Sequence, residues 1–258
     1  MNVIRVMGGL GNQMYQYAFG QLQKANGIEV AYDLSWFKNH SKSDIHREYV
    51  LDKFHTDMKL SKFLKQETIK EKKYSPVLTK KKNCNFVGYW QCLDTYFPIL
   101  PQLQADLRLK EQFYTEKYLK IKKAILKQES ISVHIRRGDY LVTPGFGVLP
   151  FTYYLKAIYD HEGDLFIFSD DIQWCRKTFK KEYFVGKVTF VNVADYLAFD
   201  LMRLCKHNIV ANSSFSCLAA FVNPNENKWI CAPKRWNNVE TPRLKEKKQH
   251  LPKKWILC

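Results

Sequence analysis

Apolar residues fall along this chain in two rhythms. Short apolar runs closed by glycine or polar residues alternate with longer stretches whose apolar positions recur at helical spacing. The first rhythm predicts buried strands and the second amphipathic helices. Val3 to Met7 reads as a strand. It runs through Gly8-Gly9-Leu10-Gly11-Asn12-Gln13 into a helical stretch, Met14 to Asn26, which Gly27 ends. Ile28 to Asp33 reads as the next strand, which makes a β-loop-α-β unit, the building block of a parallel sheet. The following segment is less regular. Lys59 to Lys82 predicts an exposed helix and loop, Phe86 to Gln91 a short aromatic strand with a loop, and Glu111 to Lys127 a helix leading into a second unit.

From Ile131 the alternation is clear. Strands are predicted at Ile131–Ile135, Leu165–Phe168, Val188–Val191, His207–Ala211 and Trp229–Ala232. Between them, Thr152–Tyr159, Asp170–Phe179, Asp195–Cys205 and a segment opened by Asn212 and running through Phe221 predict helices. This half is therefore α/β with a mainly parallel sheet. No internal repeat and no low-complexity linker interrupts it.

Composition narrows the classes. An apolar fraction of 46% can fill a core, which excludes a disordered or fibrous chain. The net charge of +16 points to a nucleic acid, an anionic membrane surface or a phosphorylated small molecule as partner. Most of the excess lies in Lys59–Lys82 and Lys228–Lys254, which read first as solvated faces and second as a peripheral contact with acidic lipid. The 7 cysteines show no C-x-x-C spacing and no Cys/His cluster for zinc. Several sit in apolar stretches, so a reducing, cytoplasmic setting is expected. No signal core and no bilayer-length apolar run is seen.

The chemistry concentrates where strands end. His134-Ile135-Arg136-Arg137-Gly138-Asp139-Tyr140 follows the Ile131 strand, and ligands of open α/β sheets bind at the carboxyl ends of strands. Paired guanidiniums there suit a diphosphate, and a surface ion-pair cluster is the plain alternative. Gly9-Leu10-Gly11 with Asp33 resembles the start of a dinucleotide fingerprint, but Met14 stands where its third glycine belongs, and a lone G-x-G is weak evidence. The simpler reading keeps close backbone approach at the glycines, with Asn12 and Gln13 offering neutral hydrogen bonds to hydroxyl-rich groups. Ser169-Asp170-Asp171 has three readings: a helix cap, a carboxylate reading guanine, or a Mg²⁺ ligand pair. Guanine reading ranks above metal binding, and capping fits either. Asn212-Ser213-Ser214-Phe215-Ser216 opens a helix whose N–H groups suit an anion.

These motifs resemble the bacterial α-1,2-fucosyltransferases, family 11 of the glycosyltransferases, over nearly the whole chain. The resemblance rests on Gly8 to Ala18, Gly88-Tyr89-Trp90-Gln91, His134 to Tyr140, Phe166 to Asp171 with Trp174-Cys175, Cys205 to Ser216, and Ala232 to Trp236. It implies a GT-B architecture of two facing Rossmann-like domains, with residues 1–125 on the acceptor side and 126–258 binding GDP-fucose in the cleft. It implies inverting transfer of L-fucose from GDP-β-L-fucose to the 2-hydroxyl of a galactose-containing glycan, with no cofactor and no required metal. One departure stands out. The family usually carries a tryptophan pair after Ser216, and this chain has Cys217-Leu218-Ala219-Ala220, which bears on acceptor preference and on packing behind the phosphate loop.

Under that resemblance, Arg136 and Arg137 hold the departing diphosphate, with Asn212, Ser213, Ser214, Phe215 and Ser216 around it and Gly9 and Gly11 near the donor. His134 positions a phosphate or ribose oxygen. Ser169, Asp170 and Asp171 lie at the base. Asp139 either draws the acceptor's proton or, the better-ranked role, holds an arginine. Asn12, Gln13 and Trp90 face the acceptor, and Asn12 joins the catalytic group. The expected partners are a nucleotide sugar and an oligosaccharide or lipid-linked glycan, with a peripheral contact at the inner face of an anionic membrane. Two alternatives remain: transfer from another nucleotide sugar, and a basic nucleic-acid-binding protein, which lacks support because lysines and aromatics do not interleave.

Overall fold

Short buried strands need a partner on each side, and both halves of the chain satisfy this with parallel ladders. The computed structural model describes residues 1–38, 47–71, 81–143, 145–159, 161–236 and 251–258. They form two units, Met1–Lys110 and Glu111–Cys258.

In the first unit, β1 (Asn2–Arg5) leads through the glycine loop into α1 (Leu10–Ala25), then β2 (Val30–Asp33), β3 (Glu67–Lys70), β4 (Cys84–Val87) and α2 (Leu100–Asp106). The sheet order is β2-β1-β4-β3, and every pairing is parallel. Ile4 sits beside both Tyr32 and Phe86 in the register. α1 packs its aromatic face inward. Phe19 stacks on Trp90 with centroids 4.2 Å apart, and the Tyr17 hydroxyl donates to buried Asp106 at 2.7 Å. Gly20 is required here, because a side chain would collide with the Tyr32 hydroxyl.

The basic stretch from Lys59 was expected to be helix and loop. Instead Glu67–Lys70 is a strand, in register with Cys84–Val87. It is an exposed edge strand, so its polar residues face water without an apolar alternation to announce it. The middle of that tract, 72–80, and most of the second tract, 237–250, lie outside the described residues.

The second unit contains α3 (Glu116–Lys127), β5 (Ser130–Ile135), α4 (Phe151–Tyr159), β6 (Asp164–Ser169), α5 (Ile172–Thr178), β7 (Val188–Val191), α6 (Asp195–Leu204), β8 (His207–Ile209), α7 (Ser214–Phe221), β9 (Ile230–Ala232) and β10 (Ile256–Leu257). The sheet is all parallel in the order β10-β9-β8-β5-β6-β7. Side chains alternate across it. Ile131, Val133 and Ile135 share a core with Tyr154 and Ile158 of α4 and Cys175 of α5. On the other face His134 meets Phe215 of α7, which packs on Phe199 of α6.

The expected boundary at 125/126 moves to 110/111. Up to Lys110 the chain still pairs back on the first unit, through the Phe54–Leu109 bridge and the Lys110 N–H to Lys53 O bond. α3 belongs to the second unit, where the buried hydroxyl of Tyr118 donates to Asp200 of α6 at 2.5 Å, beside the Asp200–Arg203 pair. The cysteines also depart from a uniformly reduced set. β10 returns beside β9, and this brings Cys258 to Cys231, joined as a disulfide with Cα atoms 6.5 Å apart. The other five are buried thiols, as their apolar surroundings predicted.

Candidate active site

β5 is the point where this sheet's order reverses. β6 and β7 follow it on one side, while the chain crosses to the other side for β8 and β9. At such a reversal the loops leaving two neighbouring strands diverge and open a crevice for ligand. The loop after β5 carries Arg136 to Tyr140, and the loop after β8 carries Asn212 and Ser213 into α7.

Both guanidiniums are held before any ligand arrives. Arg136 donates from Nη2 to Asp139 Oδ1 at 2.6 Å and pairs through Nη1 with Asp170 Oδ2 at 2.7 Å. Arg137 donates from Nε to Asp171 Oδ2 at 3.1 Å, and its guanidinium lies 4.0 Å over the Trp174 ring. Gly138 is glycine for a reason of space, since a Cβ there would stand 2.7 Å from Asp170 Oδ2. The arginine side chains keep 23% and 15% exposure, and each fork has further N–H donors beyond these pairs.

The acid pair meets one of its three readings, the helix cap, and adds a role that none of them gave. Asp170 Oδ1 accepts the Arg137 backbone N–H at 2.9 Å, and its Oδ2 holds Arg136. Asp171 Oδ1 caps α5 through the Trp174 N–H at 3.1 Å, and its Oδ2 holds Arg137. The Trp174 N–H first, and the Arg137 guanidinium after it, keep Asp171 below the usual carboxylate range. Each oxygen of the pair holds one protein donor, so the two acids aim the arginines. A carboxylate oxygen accepts more than one hydrogen bond, so this role stands beside the guanine-reading one. The Ser169 hydroxyl accepts the Asp171 N–H at 2.9 Å and shapes the same turn.

His134 is 6% exposed, and its Nδ1 has no partner. Burial, with Arg136 nearby, lowers its pKa from 6.5 to about 3, so the ring is neutral. The unfolded chain takes up a proton below 6.5 that the folded chain refuses, so this contribution is intact above 6.5 and declines as pH falls toward about 3. Unfolding titrations of the parent should lose about 1.4 kcal/mol more per pH unit than those of His134→Gln across that window. Identical acid limbs in the two proteins would rule out a buried neutral imidazole.

Asn212 is buried. Its amide nitrogen donates to the carbonyls of Gly147 and Trp236, each at 2.7 Å, and its Oδ1 has no partner. The Ser213 hydroxyl does not cap α7. The Ser216 hydroxyl is buried and turns back to the Ser213 carbonyl at 3.4 Å. Phe215 packs against His134. Cys217 and Leu218, where the resemblance led us to expect a tryptophan pair, are fully buried and pack behind the loop. Tyr140 was missed as a site residue. Its hydroxyl donates to the Asn212 carbonyl at 3.0 Å and its ring lies 5.3 Å from the Arg136 guanidinium, tying the two loops together. Trp174 was missed likewise. An aromatic beside an arginine motif was the available signal in both cases.

In the first unit, Gly8 turns the chain at φ +78° and Gly9 stands as N-cap of α1, with Gly11 buried in its first turn. Asn12 is half-buried, and its Oδ1 accepts from Gln91 Nε2 at 2.7 Å. Gln13 was expected to face the acceptor. It is instead fully buried, donating to the carbonyls of Gly8 and Glu48 and accepting the Val50 N–H. Trp90 also points inward, at 4% exposure against Phe19, in a turn whose Tyr89 and Trp90 N–H groups are capped by Glu71. Of the three acceptor-side residues, only Asn12 stays partly open. Asp33, the ribose acid of the dinucleotide alternative, is 1% exposed and taken by Arg5 and Ser35. Arg47 borders the glycine loop, with Nε 4.0 Å from where a Gly9 side chain would begin.

The glycosyl transferase family 11 model matches residues 1–258. The chain belongs to glycosyltransferase family 11. Two Escherichia coli proteins are similar along their length. The O-antigen biosynthesis glycosyltransferase WbnK is 31% identical over 89% of this chain and 92% of its own. An α-1,2-colitosyltransferase is 30% identical over 98% and 97%. A crystal structure of POFUT1 in complex with GDP matches at TM-score 0.53 and 12% identity over 88% of this chain and 96% of that one. That likeness concerns the fold, which is GT-B, each unit being a Rossmann-like parallel layer. This family 11 enzyme is a glycosyltransferase. No helix of the described residues is long and apolar enough to cross a membrane.

Proposed function

We propose that this enzyme transfers L-fucose from GDP-β-L-fucose to the 2-hydroxyl of a galactose-containing glycan, with inversion and without a required metal. The observation that carries the reading is the pair of pre-aimed guanidiniums at the sheet's reversal, opposite the start of α7. In the transfer, the acceptor oxygen bonds to the anomeric carbon while the bond from that carbon to the β-phosphate oxygen breaks, and the hydroxyl proton is released. Negative charge grows on the diphosphate. Arg136, Arg137 and the N–H groups at the start of α7, with Ser213 and Ser214, stabilise it, and donors already in place need no reorganisation. Asp139 holds Arg136, which supports its positioning role over that of base. Neutral His134, through Nδ1, and Asn212, through its side-chain Oδ1, take part in hydrogen bonds without adding charge. Asn12 orients the acceptor, and Gly9 and Gly11 admit the donor closely.

A colitosyl donor is the second reading, supported by the colitosyltransferase relative. Colitose differs from fucose by one hydroxyl, so the diphosphate chemistry is shared and only the sugar pocket discriminates. A panel of GDP-sugars against galactose-terminated acceptors, with product linkage read by NMR, separates the two. A 2-linked fucosyl product is expected, and its absence with every galactoside would sink the first reading. In the same assay excess EDTA should leave the rate nearly unchanged. Abolition by EDTA with rescue by Mg²⁺ or Mn²⁺ would return Asp170 and Asp171 to metal binding. We place the enzyme in the cytoplasm with a peripheral contact at an anionic membrane, where a lipid-linked acceptor would lie. The net charge supports this.

A further inference from the structure

α3 is packed on one face only. Tyr118 and Ile125 are fully buried, and the Thr115 hydroxyl caps the helix through the Tyr118 N–H at 3.2 Å. About a quarter turn round the helix from them, Leu119 is 49% and Leu126 57% exposed, and Lys120, Lys123 and Lys127 lie beyond, on the side away from the core. At helical spacing Leu119, Lys123 and Leu126 form one stripe, with Lys120 and Lys127 beside it. Of the other lysines, Lys117 donates to the Asn192 carbonyl and Lys122 lies over the Tyr114 ring, whereas Lys120, Lys123 and Lys127 are exposed along the leucine stripe. Glu116 is the one acidic residue of the helix.

We propose that this face of α3 docks on an anionic lipid surface, the leucines entering the headgroup boundary and the lysines meeting lipid phosphate. An apolar stripe rimmed by lysines is the arrangement of interfacial helices. Charge complementarity selects this occupant over a second copy of the chain, which would bring the same lysines against each other. Two leucines also fall well short of the roughly 800 Å² per partner that a stable dimer buries. The inference deepens the membrane reading above, locating the contact on α3 and not on the two basic tracts.

Sedimentation with phosphatidylcholine vesicles, with and without phosphatidylglycerol, tests it on the full chain. The parent should bind only vesicles containing phosphatidylglycerol. Each lysine near such a surface is worth about a fivefold change in partition, so replacing Lys120, Lys123 and Lys127 by Gln should lower it by roughly a hundredfold. The Leu119→Ser, Leu126→Ser double variant should also lose binding. Both should keep the parent's circular dichroism and its turnover on a soluble acceptor. Equal binding by parent and variants would leave the membrane reading standing and remove α3 from it. No binding by the parent would overturn both. Leucine-dependent self-association without vesicle binding would replace lipid by a second copy of the chain.

Discussion

Arg136→Ala and Arg137→Ala should each lower kcat by roughly two to three orders of magnitude, the scale of losing one donor that acts on developing charge. The two variants should differ in stability. Removing Arg136 leaves Asp139 and Asp170 without the cation they share. Losing a cation shared by two partly buried carboxylates should also destabilise the fold, read as a lower Tm than the parent's. Removing Arg137 leaves Asp171 still bonded to the Trp174 N–H, so a smaller loss of stability is expected. Arg→Lys at either position should rescue only part of the loss. A lysine is a point charge and cannot reach a carboxylate and a phosphate along separate edges of a planar fork. Both alanine variants turning over GDP-fucose within a few-fold of the parent would remove the clamp from the mechanism.

The strands of the second unit were legible because a parallel sheet covered on both faces demands continuous apolar runs. Ser130–Ile135 and Asp164–Ser169 are such strands. The edge strands were not legible. Glu67–Lys70 faces solvent and reads as a basic tract, and Ile256–Leu257 is short and exposed. The site divides the same way. That Arg136, Asp170 and Ser213 leave neighbouring strands at one end of a sheet follows from the alternation of strand and helix. Where each side chain points does not follow. Gln13 and Trp90 carry the donors and rings of a sugar site, yet α1 and the Glu71-capped turn direct them inward. Polar residue type marks capacity for hydrogen bonding, and only tertiary context decides whether backbone or ligand uses it. The same holds for the carboxylates, whose sequence offered cap, base reader and metal ligand alike, and whose geometry shows the cap at Asp171 and adds a hold on both arginines.

Asp170→Asn should lower kcat by about a hundredfold, the cost of misplacing groups near a reaction centre by about an ångström. One carboxylate oxygen accepts the Arg137 backbone N–H and the other holds the Arg136 fork. An amide can keep only one of these, because its nitrogen would face another donor. The loop after β5 would keep its arginines but lose their aim. Ground-state affinity for GDP should change less than kcat, since a misaimed cation still attracts a diphosphate, whereas stabilising charge that forms in transit needs the donor in place. Base selectivity separates this role from guanine reading. Inosine diphosphate lacks the exocyclic amine that a carboxylate would accept from, so competition between GDP and inosine diphosphate reports that contact alone. In Asp170→Asn the ratio of their inhibition constants should match the parent's while kcat falls. An unchanged kcat with collapse of that ratio would return Asp170 to the base and leave Arg136 to be aimed by Asp139 alone.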